Sequence, residues 1–71
     1  MDEAMMVTFT SVIDSVSEDQ VVVFVDKPGG YQMPRGPEDV IECLKDAFVA
    51  GKPVEVTYDN KSREIYDARP G

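Results

Sequence analysis

Residues 36–58 read GPEDVIECLKDAFVAGKPVEVTY, and this stretch decides the fold because it holds a short helix followed at once by a strand. A helix is predicted over residues 37–50, since Pro37 suits the first helical position and Gly51 suits the residue that ends a helix. Five apolar side chains fall on one arc of its surface, which is typical of a helix packed against a core. They are Val40, Ile41, Leu44, Ala47 and Phe48.

Strand patterns lie on both sides of this helix. The predicted strands cover residues 5–16, 21–25, 31–33, 54–58 and 63–68, and residues 69–71 form a terminal tail. The apolar face of the first strand is interrupted at Ser11, which predicts a β-bulge near that residue. A two-residue hairpin loop at residues 60–61 would place Arg63 opposite Tyr58.

The resulting element order is β-β-β-α-β-β, and it predicts an all-β domain with one helix. This is the order of the OB-fold, a small five-stranded barrel in which a helix follows the third strand. We therefore expect residues 1–71 to form a single OB-like domain. The alternative is a β-grasp sheet, in which residues 31–33 would be loop rather than strand.

The charge balance limits the choice of partner. Seven Lys and Arg residues stand against fourteen Asp and Glu, so the chain carries a net charge of −7. A protein of this sign repels phosphate backbones, which makes nucleic acid an unfavourable partner. An acidic surface instead suits solubility, a basic protein partner, or mimicry of nucleic acid.

Residue usage also limits the available chemistry. The chain has no histidine and a single cysteine, Cys43, which excludes an intrachain disulfide, a Ser-His-Asp triad and a zinc site of His and Cys ligands. Glu38, Glu42 and Asp46 form an i, i+4, i+8 row, which we interpret as a solvated helix face rather than a metal site. We therefore expect no enzymatic activity, no catalytic residue, no cofactor and no bound metal.

The small size of the chain favours self-association. A domain of 71 residues buries a limited fraction of its surface, and the usual reinforcements, disulfides and metals, are excluded. A homo-oligomer is therefore predicted. The candidate contact residues are Val21, Val23 and Val25 in the continuous apolar run, and Val49 on the polar side of the helix.

Four side chains are candidates for ligand binding. OB-folds bind oligonucleotides and oligosaccharides on the face of their second and third strands, often by stacking on aromatic rings. Tyr31, Gln32 and Arg35 would lie near that face. Tyr66 is expected to point outward from the last strand, beside Glu55.

No segment marks export or membrane insertion. The chain begins Met-Asp-Glu-Ala-Met-Met, which is acidic where a signal peptide is basic, and no long apolar run follows. A cytoplasmic protein with one reduced cysteine is therefore expected. If a signal peptide had been removed before this sequence begins, the protein would instead be secreted.

The element order and residues 44–58, LKDAFVAGKPVEVTY, resemble the small OB-fold B subunits of AB5 toxins, most nearly the Shiga-type. The resemblance implies a cyclic pentamer with helices around a central pore and glycan receptor sites on one face. Shiga-type B subunits also carry a disulfide and a receptor-site tryptophan, both of which this chain lacks. The resemblance therefore transfers the fold and a ring, and no binding residue.

Two functions are expected from the sequence. The first is a non-enzymatic OB-fold binding module that assembles into a pentamer-like ring and binds a glycan or a protein. The alternative is a small acidic protein-interaction inhibitor or nucleic-acid mimic, derived from a phage or mobile element.

Overall fold

The computed structural model describes residues 5–71, in which five strands form one sheet beside a helix. The elements are β1 (Met6–Val16), β2 (Val21–Phe24), β3 (Gly30–Gln32), α1 (Glu38–Ala50), β4 (Pro53–Asp59) and β5 (Ile65–Pro70). The predicted β-β-β-α-β-β order is therefore confirmed. Residues 1–4, whose acidity supports the expectation about export, lie outside the described range.

The sheet order is β3-β2-β1-β4-β5, and all four neighbouring pairs are antiparallel. A parallel bridge between Gln32 and Glu64 connects the two edges, and the Gln32 N–H donates to the Arg63 carbonyl over 2.7 Å. The sheet is not otherwise closed into a barrel. The described residues thus form a small antiparallel sheet with one helix, including a strand where the β-grasp alternative required loop.

β1 is the central strand of the sheet and pairs with a neighbouring strand on each side. Its first part pairs with β4 and its last part pairs with β2. The bulge predicted in β1 is present, and it lies between Ile13 and Ser15, a few residues beyond Ser11. Ser11 keeps its place opposite Val54, since its buried hydroxyl is satisfied by donating a hydrogen bond to the Asp26 carboxylate.

The ends of α1 follow from local residues. The helix begins one residue later than predicted because Pro37 lies outside it in an extended conformation. At the other end, Gly51 adopts a left-handed conformation with a φ of 66°. The N–H groups of Gly51 and Lys52 donate to the carbonyls of Phe48 and Ala47, which is a Schellman motif. This motif turns the chain directly into β4.

α1 packs mainly against β5 and also contacts β1 and β4. Val40 and Leu44 are buried in this contact, as the apolar arc predicts. Phe48 belongs to the same predicted arc but is 39% exposed, because it lies at the margin of the arc in the last turn. The neighbouring Val49 is 86% exposed.

The β4–β5 connection is longer than predicted. Tyr58 pairs with Ile65, and the prediction that it pairs with Arg63 is wrong. The Asp59 carboxylate accepts a backbone N–H within the loop at 2.8 Å, and the Asp59 carbonyl accepts the Arg63 N–H at 2.7 Å. These bonds fold residues 60–63 into a loop of four residues in place of two.

β5 carries a bulge and continues into the predicted tail. Tyr66 is the extra residue, opposite a register shift in β4. It is 48% exposed, as expected of an outward residue, but Arg69 rather than Tyr66 lies opposite Glu55. Because β5 extends through Pro70, residues 69–70 belong to a strand and not to a tail.

Candidate functional site

A groove with a volume of about 610 Å³ lies between one side of α1 and the adjoining ends of β4 and β5. We name it the helix groove. Its apolar lining includes Ala47, Ala50, Pro53 and Pro70, and its acidic lining consists of Asp39, Glu42 and Asp46. All three acidic residues are exposed to solvent, so their carboxylates lie at the open edge of an apolar depression.

The acidic residues of the helix groove share one side of α1. Asp39, Glu42 and Asp46 are spaced three and four residues apart, which brings side chains onto one helix face. Within residues 5–71, no three acidic or cysteine side chains converge closely enough to hold a metal ion. The last turn of α1 has no basic side chain, so the negative end of the helix dipole adds to the negative potential. This potential is spread along the groove.

Among the described residues, Lys52 is the one cation that lines the helix groove. Lys52 is exposed and forms no ion pair with any described residue. One ammonium group therefore accompanies three carboxylates, and the groove keeps a net negative charge.

Cys43 also lines the helix groove and is half-buried. Burial raises the pKa of the Cys43 thiol, and the negative charges of Asp46 and Asp67 raise it further. The reactive form of cysteine is the thiolate, so this thiol is a weak nucleophile at neutral pH. Cys43 thus contributes to the lining of the groove rather than to reactivity.

A cluster of aromatic rings occupies another part of the core, with neighbouring centroids 4.7 to 5.6 Å apart. Its members are Phe9, Phe24, Tyr31 and Tyr58. The Arg63 guanidinium lies 4.1 Å from the Tyr31 ring centroid. It also donates hydrogen bonds to the carbonyls of Pro28, at 2.9 Å, and Gly30, at 3.3 Å. The position of the Arg63 guanidinium is therefore fixed by contacts within the domain.

At least three of the seven cationic side chains are engaged within the protein. Besides Arg63, the Lys27 Nζ lies 5.1 Å from an aromatic ring centroid, and Arg69 pairs with Glu55 and Asp67 at 3.4 and 3.1 Å. In contrast, eight exposed carboxylates form no ion pair with any described residue. They belong to Asp14, Glu18, Asp19, Asp26, Glu38, Asp39, Glu42 and Asp46. The exposed surface is thus strongly acidic.

The four residues predicted to bind a ligand differ in their exposure and surroundings. Tyr31 is only 3% exposed, so its ring presents no open face for stacking. Gln32 and Arg35 are exposed, and Gln32 meets the β4–β5 loop through the bridge to Glu64. Tyr66 is exposed on β5, and the negative charge of Glu64 raises the pKa of its hydroxyl. Arg35 lies in the loop between β3 and α1.

The residues predicted to form an oligomer contact also lie on different elements. Val21 and Val23 are half-buried in β2. Val25 is 60% exposed in the turn that follows β2, and Val49 is 86% exposed on α1. Their role in assembly stays a prediction.

The helix groove was missed by the sequence interpretation, which grouped Glu38 with Glu42 and Asp46 as a solvated row. The structure instead groups Asp39 with Glu42 and Asp46 along the groove. One sequence feature indicated a depression beside the helix, namely the small side chain of Ala50 on the same helix side as these acidic residues. The opposite wall of the groove could not be predicted from the sequence, because it depends on where β5 ends.

No family model, curated protein or solved structure matches this chain. Among residues 5–71, no helix combines the length and the apolar character needed to cross a bilayer.

Proposed function

We propose that this chain is a small, non-enzymatic binding module that engages a positively charged face of another protein. The observation that carries the proposal is the set of eight exposed carboxylates that form no ion pair with any other residue of the described range 5–71. Three of the cationic side chains that could neutralise this surface are engaged elsewhere. Arg63 donates to backbone carbonyls, Lys27 lies over an aromatic ring, and Arg69 pairs with two carboxylates on the strands. A surface of one sign attracts partners of the opposite sign and repels phosphate backbones.

Such a module acts by occupying the basic face of its partner. Charge complementarity raises the association rate, fixes the orientation and disfavours partners of like charge. Where the basic face normally binds nucleic acid, occupancy by this chain inhibits the partner. This is the action of an acidic inhibitor or nucleic-acid mimic.

The architecture that we propose for this module is of the OB type. The strand order β3-β2-β1-β4-β5 and the use of one long β1 by both halves of the sheet support this assignment. The position of α1 between β3 and β4 supports it as well. The parallel bridge between Gln32 and Glu64 lies where the two edges of such a barrel would meet.

Binding to a basic peptide tests the proposed function. A labelled peptide of alternating lysine and alanine is titrated with the protein and followed by fluorescence anisotropy. Binding is expected at about 0.01 M salt and should weaken about tenfold at about 0.1 M salt, because the Debye length shortens from about 30 Å to about 10 Å. A peptide of alternating glutamate and alanine is the control. Equal binding of the two peptides, or no binding of the basic one, would contradict the proposal.

A second candidate function is the ring-like homo-oligomer that the resemblance to toxin B subunits implies. The exposure of Val49, at 86%, and of Phe48, at 39%, at the end of α1 favours this candidate. Burial of these side chains between copies would remove apolar surface from water and stabilise the assembly. In such a ring, the glycan or protein partner would bind to the assembled surface.

The solution mass tests the ring. Light scattering after size exclusion is expected to give about five times the 7.9 kDa of one chain. Val49→Asp should shift the mass toward one chain, because the contact would then bury a charge. Asn60→Asp adds the same charge in the β4–β5 loop and should leave the mass unchanged. A mass of one chain at every concentration would overturn the ring.

A further inference from the structure

We infer that the helix groove is where the basic partner docks, and that it takes an extended peptide segment with lysine or arginine side chains between small residues. This inference rests on the proposed function and adds to it a location and a ligand chemistry. The groove differs from the rest of the acidic surface because it combines negative charge with a concave apolar lining.

The size and lining of the groove suit long cationic side chains. Its volume of about 610 Å³ lies within the range of roughly 300–1,000 Å³ that is usual for ligand sites. Lysine and arginine bury their apolar stems while keeping their charged heads in water. Ala47, Ala50 and Pro70 offer apolar surface to the stems. The exposed Glu42 and Asp46 lie where the heads would reach solvent.

The three carboxylates of the groove repel one another, and Lys52 is one cation beside three negative charges. Glu42 and Asp46 are an i, i+4 pair of like charge, and such pairs destabilise a helix. Asp39 extends the same row at i, i+3 from Glu42. A ligand cation placed beside this row would remove the repulsion. The last turn of α1, which has no basic residue, would be stabilised by the same cation.

Other occupants match the groove less well. A second copy of the chain carries a charge of −7 and is repelled from an acidic groove. A single metal ion requires convergent ligands, and none of the described carboxylates converge in this way. A segment with several separate positive charges matches the spread of the carboxylates along α1.

Matched charge reversals test the location. Glu42→Lys in the groove and Glu18→Lys in the β1–β2 loop change the net charge by the same amount, and both positions are exposed. Glu42→Lys is expected to weaken binding of the lysine–alanine peptide about tenfold, and Glu18→Lys less than about twofold. Lys52→Glu is expected to strengthen binding about threefold, because it removes the cation that lines the groove.

Cys43 gives an independent readout, because it is the sole cysteine of the chain and lines the groove. Maleimide is added at alkaline pH, where this thiol ionises, and the adduct is expected to block peptide binding. The matched control is Cys43→Ala, which is treated with the same reagent and should still bind. The control also accounts for any reaction of maleimide with lysine. Circular dichroism checks that the adduct remains folded.

The outcomes separate the docking site from the proposed function. Peptide binding that survives both Glu42→Lys and the folded Cys43 adduct would overturn the groove as the docking site and leave the proposed function intact. Equal weakening by Glu42→Lys and Glu18→Lys would also overturn the docking site, since only net charge would then matter. No peptide binding by the unmodified protein would overturn both.

Discussion

Replacing Phe24 with alanine is expected to lower the free energy of unfolding by about 3–5 kcal/mol. The Phe24 side chain is 2% exposed, and its ring meets the Phe9 and Tyr31 rings at centroid distances of 4.9 and 5.4 Å. Alanine would remove these contacts and leave a cavity in a thin core. Native domains are stable by only about 5–15 kcal/mol, so much of this variant is expected to unfold at low denaturant concentrations. Urea unfolding followed by far-UV circular dichroism measures the loss.

Phe48→Ala is the matched control, because it removes the same side chain from a position that is 39% exposed. Its expected loss is less than half of the loss for Phe24→Ala, since less apolar surface returns to water. Equal losses for the two variants would contradict the placement of Phe24 at the centre of the core.

Arg63→Ala is expected to lower the free energy of unfolding by about 2–3 kcal/mol. Arg63 lies in the β4–β5 loop. Its guanidinium connects this loop to the β2–β3 turn by donating hydrogen bonds to the carbonyls of Pro28 and Gly30. It also covers the Tyr31 ring. Alanine would leave both carbonyls without this donor and would expose the ring. The same urea titration measures this loss.

Two controls separate the fork of hydrogen bonds from the positive charge of Arg63. Arg63→Lys keeps the charge but not the planar donor geometry, so an intermediate loss is expected. Arg69→Ala is expected to change stability little, because its ion pairs with Glu55 and Asp67 lie at the surface. If Arg69→Ala were as destabilising as Arg63→Ala, the role of the bonds to Pro28 and Gly30 would be refuted.

The parts of the fold that depend on neighbouring residues could be predicted from the sequence. Gly51 ends α1 because glycine accepts a left-handed conformation at little cost. The alternation in β4 correctly places Val54 and Val56 in the core, since successive side chains of a strand face opposite sides. With the helix and the strands located, the element order followed.

The parts that depend on contacts between side chains and a distant backbone could not be predicted. The Asp59 carboxylate reorganises the β4–β5 loop by accepting a backbone N–H, which shifts the pairing of Tyr58. Tyr31 follows two glycines, a context typical of a turn, so the sequence favours an exposed position for its side chain. The Arg63 side chain, far along the chain, covers its ring instead.

The helix groove could be predicted only in part, because its two walls come from different kinds of signal. The acidic residues of α1 are visible in the sequence, and their spacing indicates one helix face. The other wall includes Pro70 in β5. Since the stretch around Pro70 has the composition of a tail, nothing local indicates that it pairs with β4 and completes a concave surface.

The central position of β1 also sets the order in which the sheet can form during synthesis. In β1, Ile13 pairs with Phe24, which follows shortly along the chain, whereas Phe9 pairs with Val56, which is synthesised much later. The entropy cost of closing a loop grows with its length, so the β1–β2–β3 half is expected to gain protection from hydrogen exchange first. The helix groove belongs to the late half. The proposed docking site is therefore complete only after β4 and β5 have joined β1.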